Sequence, residues 1–124
     1  MVENRFNEKE GVLYVKISGE VGLQDMFQAM GFLLQGTNLP KDLKILEDAS
    51  HATVLFSLND LDIIAEKMQL SLKSFHSVKH AVIHSAPINS AFTIIITNKI
   101  NVEGYVLKEF STEKSAKAWL RFNR

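Results

Sequence analysis

The sequence predicts an α/β fold: a mixed sheet of about five strands, the first hairpin antiparallel and the remainder largely parallel, packed with about four helices. Three observations carry this. Hydrophobic spacing switches repeatedly between a period of two and a period near 3.6 along the chain. The stretch from Pro87 to Lys99 has the length a crossover between parallel strands requires. The chain closes on Tyr105–Phe110, a Ser-Thr-Glu sequence and then Trp119-Leu120, which is a strand end, a helix cap and an aromatic anchor in succession.

Asn7 to Gly11 reads as a hairpin turn, because glycine supplies the positive φ such turns need. Beyond it Leu13, Val15 and Ile17 face one way, and Tyr14, Lys16 and Ser18 the other. Between Gly22 and Gly36 the period changes to helical, with Leu23, Met26, Phe27, Met30, Leu33 and Leu34 on one stripe. Gly36 and Pro40 end that helix. Leu43 to Glu47 is a short central strand with Asp48 at its carboxyl end. A second helix runs from about Leu58 to Phe75, with Ser57 as its cap, Asp60 and Asp62 early and Lys67 and Lys73 late, as the helix dipole favours.

Val78 to His84 is the next strand and Tyr105 to Phe110 the last. Between them Thr93 to Thr97 is β-branched throughout and by propensity alone would be a strand. Two parallel neighbours need a crossover, so Pro87 to Lys99 is read as a helix opened by proline. Ser111 or Thr112 caps a final helix whose inward stripe is Ala116, Trp119 and Leu120. No repeat, low-complexity tract or linker interrupts the series, so residues 1–124 are expected to form one domain.

Composition excludes some classes of function. Lysine and arginine total 14 and aspartate and glutamate 14, so no general field draws nucleic acid or an acidic membrane. There is no cysteine, hence no disulfide and no thiolate metal site. The first ten residues are too polar for a signal peptide and no apolar run reaches the ~20 residues of a membrane span, so a cytoplasmic location is expected.

The order of elements, with Ala81-Val82-Ile83, Ser85-Ala86-Pro87 and Phe110-Ser111-Thr112-Glu113 leading to Ala116 and Trp119-Leu120, resembles the SpoIIAA-like proteins of the STAS superfamily over nearly the whole chain. The resemblance implies a mixed sheet covered by helices and a structural kinship with anti-sigma-factor antagonists and with the CRAL-TRIO lipid-transfer domain, neither of which fixes a function. It also implies a phosphorylated serine at the start of the helix after the Asp-bearing strand. Here that region runs from Asp48 to Asp60 without a Ser-Gly pair, and Ser57 is the nearest counterpart, followed by Leu58. The phosphoswitch is therefore in doubt for this chain.

No catalytic set stands out. Glu47 and Asp48 are adjacent on a strand and point to opposite faces, so they do not share one substrate atom and the pair is expected to cap its loop and meet solvent. His80 and His84 share a face but lie about 13 Å apart along it, too far to share a metal. His51 and His76 have no ligand nearby in sequence, Ser85 lacks the glycine-flanked elbow of a hydrolase nucleophile, and Gly19 to Gly22 lacks phosphate-loop spacing. No cofactor, metal or enzymatic activity is expected. The leading expectation is a module that binds an unidentified protein partner through Asp48, Ser50, His51 and Ser57. The competing one is a carrier or sensor of a small apolar ligand such as a lipid. For either the ligand or a homodimer, the candidate surface is Phe92, Ile94, Ile95 and Ile96, since this helix is apolar on more than one face.

Overall fold

The computed structural model describes residues 1–35, 38–84 and 87–122, Pro87 and Ile88 through their backbone alone. Nine elements follow one another: β1 (Val2–Asn7), β2 (Val12–Val21), α1 (Leu23–Gln35), β3 (Asp42–Val54), α2 (Leu58–Leu72), β4 (Ser77–Ile83), α3 (Pro87–Lys99), β5 (Tyr105–Phe110) and α4 (Glu113–Arg121). The five strands lie in the sheet in chain order. The first pair is antiparallel and every later pair parallel, as expected.

Strands in chain order force a particular layering. Parallel crossovers are right-handed almost without exception, and here each steps in the same direction, which puts α1, α2 and α3 on one face of the sheet. Leu33 of α1 and Leu72 of α2 accordingly pack on Leu13, Val15, Ile17, Leu43, Ile45 and Val78. Met30, Leu61 and Ile64 extend this layer to Phe92, Ile95 and Ile96 of α3. The alternate side chains Val12, Leu46, Ala81 and Ile83 face the other way, against Ala116 and Leu120 of α4. Trp119 packs there on Phe110, ring centres 5.6 Å apart. Thr112 is the residue that caps α4, its side chain accepting from the Ser115 N–H.

Turn chemistry supports the hairpin. Gly11 has φ +69 and its N–H donates to the Asn7 carbonyl at 2.8 Å. Gly104, at φ +83, is tighter still: a Cβ built there would lie 2.6 Å from the His76 carbonyl oxygen. Only glycine lets the approach to β5 pass so close to the start of β4.

The helix expected at Pro87–Lys99 is present despite its β-branched run. Its threonines help explain why: Thr93 and Thr97 donate to the carbonyls of Asn89 and Thr93, at 3.0 and 2.7 Å, so both hydroxyls are satisfied within the helix. Two boundaries differ from expectation. The second helix stops at Leu72, and the Phe75 N–H closes a turn on its carbonyl. The third strand does not end at Asp48 but runs on to Val54. It continues because β2 is long enough to pair again after an irregularity, Lys16 opposite Asp48 but Ser18 opposite His51. Gly36, Ser85 and Ala86, read above as a helix end and part of a turn, lie outside the described residues. No helix among the described residues is long and apolar enough to cross a membrane.

Candidate functional site

On the helix-covered face, three adjacent strands each place a polar side chain among apolar residues of the same register. Glu47 follows Leu43 and Ile45 on β3, His80 follows Val78 on β4, and Tyr105 opens β5. They form one hydrogen-bonded chain. The His80 Nε2 to Glu47 Oε1 distance is 2.9 Å and the His80 Nδ1 to Tyr105 hydroxyl distance 2.8 Å. With the tyrosine proton donated to Nδ1, the imidazole proton sits on Nε2 and is donated to Glu47, so every hydrogen in the chain has an acceptor. Burial alone would push Glu47 up. The His80 hydrogen bond outweighs it and holds the carboxyl below its ordinary value. Burial, with the Glu47 charge added, pushes the Tyr105 hydroxyl well above its ordinary value and keeps it neutral.

A second cluster lies at the end of β4, beneath α3. His84 Nε2 is 2.7 Å from the Thr93 hydroxyl oxygen, and Ser90 donates to Glu109 Oε2. Burial pushes His84 down, against the opposing pull of Glu47 and Glu109, so its ring is neutral at pH 7. Asn89 is 3 % exposed, and its amide nitrogen donates to the Ala52 carbonyl at 3.4 Å. Three buried atoms in this cluster accept or donate no hydrogen bond, His84 Nδ1, Asn89 Oδ1 and Glu109 Oε1, the last lying 4.0 Å from His84 Nε2.

The two clusters border one cavity of about 70 Å³ between the sheet and the helices. Glu47, His80, His84, Asn89 and Thr93 form its polar wall, while Met26, Phe56, Met68, Phe92 and Ile96 are prominent among its apolar lining. Drug-sized ligands occupy ~300 Å³ or more, so a cavity of this size gives a lipid carrier no support. Among the described residues no group of three or more His, Cys, Asp or Glu stands placed to hold a metal ion.

The residues singled out from sequence lie elsewhere. Asp48 points to the opposite face from Glu47, beside Lys16 and away from the cavity, and its Oδ1 accepts from the Ser50 N–H and hydroxyl at 3.0 and 2.6 Å. Its capping role is thus observed, though inside a strand irregularity instead of a loop. Although burial pushes the Asp48 carboxyl up, its bonds to Ser50 and the nearby cations bring it below its ordinary value. His51 is exposed on the continuing strand, and the connection to α2 shrinks to three residues, Leu55, Phe56 and Ser57. Ser57 caps α2 in a reciprocal box, its oxygen accepting from the Asp60 N–H at 3.3 Å and its own N–H donating to Asp60 Oδ2 at 2.9 Å. A phosphoryl group on Ser57 would meet the Asp60 carboxylate already seated there. On α3, Phe92, Ile95 and Ile96 are half-buried in the apolar layer, and Ile94 is 57 % exposed. His76, without a ligand in its own segment, lies 2.7 Å from Asp42, 34 positions away.

Sequence reasoning missed the Glu47–His80–Tyr105 chain. The signal was there: a polar residue interrupts the apolar face on each of three strands that the predicted order makes neighbours, each offset from the next by two residues in register.

No family model and no curated protein matches the sequence. Solved structures do match in shape. One is the crystal structure of an uncharacterised DUF3478-family protein with a SpoIIAA-like fold from Shewanella loihica PV-4, with 22 % identity, 97 % of this chain and 92 % of that chain covered, and a TM-score of 0.62. The chain has the SpoIIAA-like fold. A second match, the Bacillus cell fate determinant SpoIIAA in its phosphorylated form, covers 98 % of this chain and all of that chain at 12 % identity and a TM-score of 0.55. Ser57, read above as the nearest counterpart of a phosphorylated serine, is here the capping residue of α2.

Proposed function

We propose that this chain is a non-catalytic regulatory module that binds a partner protein through the junction of β3 and α2. One observation carries the reading: Leu55 and Leu58 stand 57 % and 69 % exposed on either side of the Ser57 cap. Two large apolar side chains held outward by a rigid strand end and a capped helix start are the anchors a protein partner covers, with His51 and Ser57 as polar neighbours. The SpoIIAA-like fold supports this reading as an analogy of architecture. The buried Glu47–His80 pair supports the non-catalytic part, because both imidazole nitrogens are engaged and Tyr105 is held neutral.

The test is affinity capture with quantitative mass spectrometry. Wild type is compared with Leu55→Ser/Leu58→Ser and with Lys108→Ser on the far edge of the sheet, all three checked for folding by circular dichroism. A protein recovered by wild type and Lys108→Ser and lost by the double variant is the expected result. Equal recovery by all three removes the β3–α2 junction from the reading.

A further inference from the structure

The cavity under α3 is walled on its polar side by acceptors, and that asymmetry identifies a ligand. Asn89 spends its amide nitrogen on the Ala52 carbonyl, which fixes the flip of the side chain and leaves Oδ1 as a bare acceptor. The Thr93 hydroxyl donates its one hydrogen to the Asn89 carbonyl, so toward His84 it can only accept. The His84 proton therefore sits on Nε2, and the partnerless Nδ1 is a second bare acceptor. His84 and Asn89 are nine-tenths or more buried at the side chain or residue, and both line the cavity. Glu47 adds a carboxylate to the same wall.

We propose that this cavity binds a small alkylammonium ion, its nitrogen hydrogen-bonded to Asn89 Oδ1 and His84 Nδ1 beside the Glu47 carboxylate and its alkyl end among Phe56, Phe92 and Ile96. A buried cation needs an anionic neighbour, and Glu47 is held in its charged form by His80. An ammonium is the small group that brings several donors and no acceptor, matching a wall of acceptors. The volume fits. At ~30 Å³ per water in the liquid, 70 Å³ admits something the size of ethylammonium and excludes a fatty chain. So few atoms limit affinity to the millimolar range.

The experiment titrates the full ¹⁵N-labelled chain with ethylammonium chloride and, separately, with ethanol of similar size, at matched ionic strength. Saturable shifts of the Ala52, Asn89 and Thr93 amides by ethylammonium, with ethanol weaker by about tenfold or more, are expected, that being the loss of charged hydrogen bonding. Asn89→Leu keeps the heavy-atom count and branching of the side chain and removes an acceptor, and should weaken ethylammonium about tenfold. Where Asn89→Leu does not fold, Thr93→Val releases the His84 tautomer and should weaken binding in the same sense. Saturation by ethanol with equal affinity overturns the proposal, as does unchanged affinity in the folded variant. No saturable shift with ethylammonium means that the cavity holds water only, which also overturns it.

Discussion

His80→Leu should destabilise the protein by about 3–4 kcal/mol at pH 7, and the loss should shrink on acidification. The substitution preserves most of the side-chain volume, so the cost is electrostatic. It strips the hydrogen-bond partner that the Glu47 carboxylate, its side chain 16 % exposed, has among the described residues, and takes the His80 ring from the Tyr105 hydroxyl. Breaking a buried pair by removing one partner costs about 3–5 kcal/mol. Glu47 has an escape, since it can take up a proton; from its ordinary value of 4.5 that costs about 3.4 kcal/mol at pH 7, which caps its share. In wild type the folded Glu47 value is lowered, so its contribution is present above 4.5 and is lost as pH falls through the folded value. In His80→Leu the unpaired carboxyl is raised instead, and the penalty fades as pH drops from 7 toward 4.5, leaving about 1 kcal/mol for the Tyr105 hydroxyl. Urea unfolding of wild type, His80→Leu and Glu47→Leu/His80→Leu at pH 7 and at pH 4.5 measures this. The double variant should recover about 2 kcal/mol at pH 7, because no charge is left unpaired. A pH-independent loss in His80→Leu, or a double variant no more stable than the single, would refute the reasoning.

Gly104→Ala should cost several-fold more than the ~1 kcal/mol expected at Gly11→Ala, both at positive φ, because only the former drives a Cβ into the His76 carbonyl; paired thermal melts compare them. Ile94→Lys should leave folding intact and Ile95→Lys should lower stability by roughly 1–3 kcal/mol; light scattering on both shows whether Ile94 also holds a homodimer together, which a wild-type monomer at high micromolar concentration would exclude. The Asp42 hydrogen bond and charge raise His76, so its contribution is fully present below its ordinary value of 6.5 and fades as pH rises through the raised one. An NMR titration should find that value lowered in Asp42→Asn.

The sheet was legible because its strands alternate cleanly and its crossovers have the lengths parallel pairing demands; even the isoleucine-rich helix followed from chain length against local preference. The end of β3 was not, because Ala49 to Val54 reads as a polar loop until the far half of β2 lies alongside it. Ser57 was read correctly as a capping group from its own neighbours, and so was Asp48; Glu47, read with Asp48 as a solvated capping group, is instead buried against His80, because its face of β3 lies under the helices. Glu47 and His80 are 33 positions apart, and nothing local to either marks it as buried. Their pairing depends on the depth at which β3 and β4 align, a quantity fixed by packing across the sheet.

The sequential strand order also dictates how the sheet is built. Each new strand joins the outer edge of those already paired, and none has to be threaded between two neighbours, so the sheet can grow in the order in which the chain leaves the ribosome. The last step has a hazard. Until β5 arrives, β4 presents an open edge in which His80 to Ile83 are all destined for burial, a flat apolar template for a second chain. A product ending before Tyr105 would therefore aggregate by strand pairing, and β5, the edge that finally faces solvent, is guarded by the exposed Lys108.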